Sequence, residues 1–191
     1  VASTRGRRVT AVVGFIDKNG GEHRKSYNAL AVIRNGKIIQ KQYKTLLPTY
    51  DVFLEEIFFS PAVSQRTFSL GGLRLGPTIC EDIWDDRYSV KPAKILAGKG
   101  AKVLINISAS PYHKEQVLER REIISKKARE YGLWIIYVNH VGGHDDLIFD
   151  GRSFVCDPKG RIQFEAEPFR EGLFRFSIDL NFSEIASVAS L

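Results

Sequence analysis

The chain has 191 residues, which suffices for one sizeable α/β domain and leaves little room for two. Its 43% hydrophobic and 26% charged residues are typical of soluble globular proteins. No apolar run approaches the roughly 18 residues of a membrane helix, so no membrane partner is expected. Residues 1–8 are polar and basic and predict no secretory signal. Two cysteines make no disulfide framework, which favours a reducing, cytoplasmic location.

The net charge of +6 comes from scattered basic residues rather than from one basic run. Lys126 and Lys127 fall on a helix face that is predicted to be exposed, so no nucleic-acid partner is expected and a basic nucleic-acid-binding module stays a distant alternative. The two cysteines and four histidines show no zinc-ligand spacing, which predicts no metal site. The chain starts at Val1 and contains no methionine, which predicts either an excised piece of a longer protein or a sequence from which some residues are missing.

Apolar patterns and turn residues predict the elements in chain order. Strands are expected at residues 9–16, 28–33, 37–43, 66–70, 73–79, 101–107, 133–138, 153–156, 161–164 and 172–180. Helices are expected at residues 91–96 and 115–131, and residues 51–59 form a loop or a short helix. The first strand is almost continuously apolar, which predicts that both of its faces are covered. The strand–helix–strand order of residues 101–138 predicts two parallel neighbours in one sheet.

One stretch joins a buried strand to a run of acidic residues. Cys80 follows the predicted strand 73–79, and Glu81 and Asp82 come directly after it. A lone cysteine at a strand is usually a small core residue, and this pattern alone slightly favours that interpretation. The alternative is a nucleophile held at the solvent edge of a rigid element. Cys156, inside its own predicted strand, is interpreted as a core thiol.

Cysteine catalysis needs a thiolate, a base and donors for the oxyanion. Lys44 lies before two leucines and a proline, where its ammonium would stabilise a thiolate; an exposed strand-end lysine is the alternative. Glu55 and Glu56 lie among aromatic residues and are either surface charges or a positioned acid–base group. Ser110 is most simply a turn residue before a helix.

Four segments together resemble one known family, in one order. They are residues 43–53 (Tyr-Lys-Thr-Leu-Leu-Pro-Thr-Tyr-Asp-Val-Phe), 79–84 (Ile-Cys-Glu-Asp-Ile-Trp), 106–112 (Asn-Ile-Ser-Ala-Ser-Pro-Tyr) and 138–151, with Val-Gly-Gly and Phe-Asp-Gly. The chain from residue 9 to residue 180 is thereby similar to the nitrilase, or carbon–nitrogen hydrolase, superfamily. More narrowly, it resembles the glutaminase domain of glutamine-dependent NAD synthetases.

The resemblance implies a four-layer αββα nitrilase-type sandwich, formed as a single domain by residues 1–191. It implies that Cys80 is the nucleophile and that Lys44 holds the oxyanion together with the N–H of Glu81. Glu55 matches the family's supporting glutamate, and Glu56 is the less favoured match.

The resemblance also implies residues around the substrate, glutamine. Tyr50, Glu81 and Ser110 match positions that the family uses there. Lys114 is the candidate for a further basic substrate residue, although it follows His113 directly and lacks the glycine that precedes this residue in the family. No cofactor is expected in this domain, whereas ATP and Mg are expected in the synthetase domain of the parent protein. That domain and further copies of the chain are the expected partners.

One departure from the family pattern concerns its general base. The family's first catalytic glutamate precedes the segment that starts at residue 9, and residues 1–8 contain no glutamate. The sequence therefore predicts a sandwich without its opening strand and helix, with an exposed sheet edge. Hydrolysis by the isolated chain is expected to be slower by roughly 10²–10⁴-fold. A free-standing amidase or carbamoylase and a non-catalytic remnant are the alternative functions.

Overall fold

The structure is a computed structural model that describes residues 1–20, 25–178 and 185–190. In this part of the chain the helices are α1 (Glu55–Phe58), α2 (Pro92–Gly98) and α3 (Gln116–Tyr131). The strands are β1 (Thr10–Asp17), β2 (Tyr27–Arg34), β3 (Lys37–Tyr43), β4 (Phe68–Leu70), β5 (Leu73–Ile79), β6 (Val103–Ser108), β7 (Trp134–Asn139), β8 (Val141–His144), β9 (Leu147–Asp150), β10 (Phe154–Cys156), β11 (Ile162–Glu165), β12 (Phe174–Ile178) and β13 (Ile185–Ser190). None of these helices has the length and apolar character needed to cross a membrane.

A six-stranded sheet in the order β11-β10-β7-β6-β5-β4 forms the centre of the fold. Its middle strands β5, β6 and β7 are parallel, and for β6 and β7 the strand–helix–strand pattern of residues 101–138 predicts this. The helices α2 and α3 cover one face, where Leu96, Leu104 and Ile124 are fully buried. Gly132 ends α3 in a left-handed conformation with φ 63°, which an L-residue adopts only at a steric cost.

The other face of this sheet packs against a three-stranded antiparallel sheet in the order β1-β2-β3. Leu30 and Val32 of β2 lie in one apolar cluster with Leu75, Ile79 and Val103 of the larger sheet. In residues 1–20, 25–178 and 185–190 the layers are therefore helix, sheet and sheet. A helix layer outside β1–β3, the fourth layer that the resemblance implies, is not found among them.

The prediction that both faces of the first strand are covered is wrong. Val13 is 48% exposed and Ile16 is 70% exposed in β1. β1 is an outer strand of the three-stranded sheet, and one of its faces packs inward, where Gly14 lies against Ile107. Continuous apolarity thus does not distinguish a strand that is buried on both faces from an edge strand with an exposed apolar face.

Two parts of the sheet structure were not anticipated from the sequence. No strand was predicted between residues 138 and 153, but β8 and β9 form an antiparallel hairpin there. The predicted strand 172–180 corresponds to β12, and its residues 179–180 lie outside the described part of the chain. β13 pairs antiparallel with β12, whereas no strand was predicted after residue 180.

The prediction of an exposed face for Lys127 is also wrong. Lys127 is 1% exposed, and its ammonium donates to the carboxylates of Asp85 and Asp86. Lys126, its neighbour in α3, is exposed as predicted. The two carboxylates compensate the charge of Lys127, which makes its burial possible. This contact attaches α3 to the segment that follows Cys80.

Candidate active site

Cys80 lies just beyond the carboxyl end of β5, in a short 3-10 helix (Cys80–Ile83). Its φ of 42° is in the left-handed region, which costs a non-glycine residue on the order of 1–3 kcal/mol. Cys80 is half-buried and packs against the apolar cluster between the two sheets, whereas Cys156 is fully buried. A strained backbone at a strand end, held by the surrounding structure, is typical of functional positions.

Lys44 directly follows β3 and is only 1% exposed. Its Nζ lies 2.5 Å from Oε1 of Glu55, the first residue of α1. The Nδ2 of Asn28 donates to the other oxygen of the Glu55 carboxylate over 3.4 Å. Glu56 is exposed, so the structure brings Glu55, and not Glu56, to Lys44. The interpretation of Lys44 as an exposed strand-end residue is therefore wrong.

The charges around Cys80 are interdependent. Burial by itself lowers the pKa of Lys44, but the negative charges of Cys80 and Glu55 outweigh this effect and the pKa is raised. Burial raises the pKa of the Cys80 thiol, and the ammonium of Lys44 counteracts part of that rise. Lys44 therefore stays charged at neutral pH and favours the thiolate form of its neighbour.

Two phenols hold the carboxylate of Glu81, the residue after Cys80. The hydroxyl of Tyr50 donates to Oε1 and Oε2 of Glu81 at 2.9 and 3.0 Å. The hydroxyl of Tyr88 donates to Oε1 at 2.9 Å. Burial raises the pKa of Glu81, and the hydrogen bonds from Tyr88 and Tyr50 reduce that rise. The result is an oriented carboxylate next to the thiol.

Ser110 lies after β6 and is held by side chains from β7 and α3. The side chain of Asn139 accepts from the Ser110 N–H at 2.9 Å and donates to its carbonyl at 3.3 Å. The guanidinium of Arg120 donates to Oγ of Ser110 at 3.4 Å and to a carboxylate oxygen of Asp150 at 3.1 Å. Arg120 is 1% exposed and Asp150 is fully buried. A buried ion pair thus fixes the loop that carries Ser110.

Two further side chains contact the backbone around Cys80. Asp82 accepts hydrogen bonds from the N–H groups of Thr45, Leu46 and Ile79. Asn106, which is fully buried in β6, donates to the carbonyl of Cys80 at 3.3 Å. These contacts stabilise a backbone conformation that is unfavourable by itself.

The family model for "Carbon-nitrogen hydrolase" matches residues 2–186 of this chain. The chain belongs to the carbon–nitrogen hydrolase family. A glutamine-dependent NAD(+) synthetase from Synechocystis sp. is 40% identical over 169 residues, which are 85% of this chain and 30% of that protein. The corresponding protein from Thermotoga maritima is 38% identical over 93% of this chain and 30% of its own length.

Solved structures share the fold of this chain. A glutamine-dependent NAD+ synthetase from Acinetobacter baumannii, in complex with adenosine diphosphate, has a TM-score of 0.85 and 34% identity over 93% of this chain and 32% of its own. An amidase of the nitrilase superfamily from Nesterenkonia AN1, with 23% identity, covers 86% of this chain and 60% of its own at a TM-score of 0.72. The fold is the nitrilase-type sandwich. The chain spans about 30% of the length of the curated relatives that it matches.

The geometry of this carbon–nitrogen hydrolase brings most of the predicted site residues together. Lys44 contacts Glu55 and interacts electrostatically with Cys80, and Tyr50 contacts Glu81 beside Cys80. Ser110 lies in the neighbouring buried network. Lys114 is exposed in the turn before α3, and the described contacts of the other site residues do not include it.

Sequence reasoning missed several residues that hold this site, namely Asp82, Tyr88, Asn106, Arg120, Asn139 and Asp150. For Asp82 a signal existed, because a carboxylate one turn after a buried strand can accept the free N–H groups of that turn. Tyr88 carries no such signal, since its partner is defined only by the fold. Among the described residues, no group of three or more histidine, cysteine, aspartate and glutamate side chains is arranged to hold a metal ion.

Proposed function

We propose that this chain hydrolyses the side-chain amide of glutamine and thereby supplies ammonia for ATP-dependent NAD synthesis in a larger protein. The observation that carries this proposal is a half-buried cysteine on a strained turn beside a buried ammonium, Lys44, that Glu55 anchors. Membership of the carbon–nitrogen hydrolase family supports the reaction class. The similarity to glutamine-dependent NAD(+) synthetases supports the substrate.

In the proposed reaction the sulfur of Cys80 attacks the amide carbon of glutamine. The carbonyl oxygen becomes an oxyanion, which the Lys44 ammonium and the N–H of Glu81 stabilise. When the tetrahedral intermediate collapses, the C–N bond breaks, and ammonia leaves with the proton that a general base has taken from the thiol. Water then attacks the thioester, and glutamate and the free thiol are released.

The residues around Cys80 suit an amino-acid substrate. In the proposal, the carboxylate of Glu81 attracts the α-ammonium group of glutamine, and the Tyr50 hydroxyl keeps that carboxylate oriented. Ser110 contacts the substrate from a loop that the Arg120–Asp150 pair fixes. Lys114, which is exposed, has the weakest support as a substrate residue.

The proposal places this domain in a protein that also contains a synthetase domain. That domain would bind ATP with Mg and use the ammonia, and the relative from Acinetobacter baumannii was solved with adenosine diphosphate. Further copies of the chain are proposed partners in a homo-oligomer. Both described cysteines are free thiols, which fits the proposed cytoplasmic location.

The test is covalent labelling with a glutamine-analogue electrophile, followed by peptide analysis of wild type, Cys80→Ala and Cys156→Ala. We expect label on Cys80 in wild type and Cys156→Ala and none in Cys80→Ala. Glutamine in excess should protect Cys80, whereas small amides such as acetamide should not. Label on Cys156 instead of Cys80 would refute the site. Protection by acetamide and not by glutamine would favour a free-standing amidase.

A further inference from the structure

We propose that Asp82 is a positioning residue that sets the relative position of Cys80 and Lys44. The inference rests on the proposed function, because that function makes Cys80 and Lys44 the catalytic groups. Asp82 is 2% exposed and lies in the 3-10 helix that starts at Cys80. It is therefore buried between the two chain segments that bring the thiol and the ammonium together.

The carboxylate of Asp82 bridges these segments through backbone hydrogen bonds. Oδ1 accepts from the N–H groups of Thr45 and Leu46, both at 2.9 Å, and these are the two residues after Lys44. Oδ2 accepts from the N–H of Ile79 at 3.1 Å, and this residue directly precedes Cys80. One rigid planar group thus contacts the immediate neighbours of both reacting side chains, which lie 36 positions apart in the chain.

The bond to Ile79 also helps to explain the backbone of Cys80. Cys80 lies just beyond the end of β5, and its φ is 42°. Such a conformation persists only when neighbouring contacts compensate its cost. Asp82 closes the turn from its own 3-10 helix, while Asn106 donates to the Cys80 carbonyl from β6.

The chemistry of Asp82 fits positioning rather than proton transfer. Its two oxygens are occupied by three backbone donors, so the carboxylate has defined partners in the ionised form. Burial raises its pKa to about 6, although the hydrogen bonds from Leu46, Ile79 and Thr45 oppose that rise. At neutral pH the ionised, bridging form therefore dominates.

The structure offers a matched control in Asp157. This carboxylate is also fully buried, and it accepts hydrogen bonds from the N–H groups of Lys159 and Arg161 in a turn after β10. Asp82→Asn and Asp157→Asn thus make the same chemical change at two buried, backbone-binding carboxylates. Only the first carboxylate contacts the segments that carry Cys80 and Lys44.

The experiment measures the rate of Cys80 alkylation by iodoacetamide against pH in the full chain, with peptide analysis to separate Cys80 from Cys156. In Asp82→Asn the amide nitrogen cannot accept a hydrogen bond, so at least one segment is released and the thiol loses part of its stabilisation by Lys44. We expect the apparent pKa of Cys80 to rise by about one unit, which lowers the alkylation rate near neutral pH by about tenfold. Asp157→Asn should keep the wild-type profile. The charged and titratable groups that face Cys80 are Lys44, Glu81, Glu55, Tyr50 and Tyr137, and the side chain of Ser108 hydrogen-bonds to it.

Asp82→Glu provides a second variant, because it keeps the charge and moves the carboxylate by one methylene group. We expect its profile to lie between those of wild type and Asp82→Asn. A folded Asp82→Asn with the wild-type alkylation profile would overturn the proposal. Loss of folding in both Asp82 variants, with Asp157→Asn folded, would also overturn it, because Asp82 would then be required by the whole fold. Alkylation needs no glutamine, so these outcomes are independent of whether glutamine is hydrolysed.

Discussion

The two cysteines of this chain lie near the ends of two strands of the same sheet, yet their surroundings differ. Cys156 is the last residue of β10 and is fully buried, with its sulfur 3.8 Å from the hydroxyl of Ser125. Cys80 lies just beyond β5 and is half-buried on a strained turn. Burial raises the pKa of Cys156 to about 11 and raises that of Cys80 as well. Burial alone would therefore leave both thiols protonated at neutral pH.

The difference between them is the buried cation that only Cys80 has as a principal neighbour. The ammonium of Lys44 lowers the pKa of Cys80, whereas the hydroxyl of Ser125 is the main opposing influence at Cys156. A neutral hydroxyl stabilises a thiolate less than a desolvated ammonium does. Position at a strand end thus does not decide whether a cysteine is a nucleophile. The proposed nucleophile, Cys80, differs from Cys156 by its partial exposure and by a nearby buried cation.

Removing the charge of Lys44 should have the largest effect on the difference in reactivity between Cys80 and Cys156. In Lys44→Met the side chain keeps its approximate length and loses its charge, so the thiolate of Cys80 should lose its main stabilising neighbour. We expect glutamine hydrolysis to fall by roughly 10²–10³-fold, the size of the loss of one oxyanion-stabilising group. The measurements are ammonia release from glutamine and the iodoacetamide profile of Cys80.

Lys41→Met is the control for this variant. Lys41 lies three residues earlier in β3, and its side chain is 41% exposed beside Asp17. Its removal should leave both measurements unchanged. Wild-type alkylation of Cys80 in Lys44→Met would show that the cation does not activate the thiol.

A smaller effect is expected from Glu55→Gln, which removes the charge that holds Lys44. The glutamine oxygen can still accept from the ammonium, so we expect about a tenfold loss of hydrolysis at neutral pH. Because the negative charge of Glu55 contributes to the raised pKa of Lys44, that pKa should fall in the variant. Activity should then decline at a lower alkaline pH than in wild type, as a pH–rate profile would reveal.

Glu56→Gln is the matched change at the adjacent, exposed carboxylate. It should leave the rate and the alkaline limb of the profile as in wild type. If Glu56→Gln, and not Glu55→Gln, altered the alkaline limb, the assignment of the supporting glutamate would move by one residue.

Local signals in the sequence predicted much of the fold. Asn35 and Gly36 separate the predicted strands 28–33 and 37–43, and they adopt φ values of 48° and 72° in the turn between β2 and β3. Such values are what the asparagine–glycine pair permits at little steric cost. The parallel strands β6 and β7 followed from two apolar runs that flank a helix pattern. These signals are local, so they can be recognised without knowledge of the three-dimensional structure.

The residues that the sequence did not predict depend on partners far along the chain. The buried Lys127 pairs with Asp85, which lies 42 positions away. Arg120 and Asp150 are 30 positions apart, and helix periodicity assigns a charged residue such as Arg120 to the solvent side. The family motifs predicted Cys80 and Lys44 as site residues. The residue pattern around Cys80 alone slightly favoured a core thiol. Contacts between distant segments decide these cases, and periodicity contains no information about them.

The smallest effect on the reactivity of Cys80 is expected from Asp157→Asn, a change beside Cys156. This variant should lower the stability of the fold and leave the reactivity of Cys80 unchanged. Burial by itself raises the pKa of Asp157, but hydrogen bonds from the backbone and guanidinium of Arg161 and from Gln163 outweigh it and hold the pKa below the ordinary 3.8. The ionised carboxylate therefore stabilises the folded state at neutral pH. Loss of these hydrogen bonds should lower the free energy of unfolding by about 1–3 kcal/mol at pH 7.

The pH dependence of this loss follows from the direction of the pKa shift. Because the folded pKa of Asp157 is lower than the unfolded value, its contribution is complete above about pH 4 and is lost as the pH falls through the folded pKa. Urea unfolding of wild type and Asp157→Asn should therefore give a gap at pH 7 that narrows in acid. Cys80 should be alkylated alike in both proteins at every pH where both are folded. An equal difference in stability at neutral and acidic pH would mean that the charge of Asp157 does not stabilise the turn. A changed alkylation profile of Cys80 would mean that Asp157 influences both cysteines.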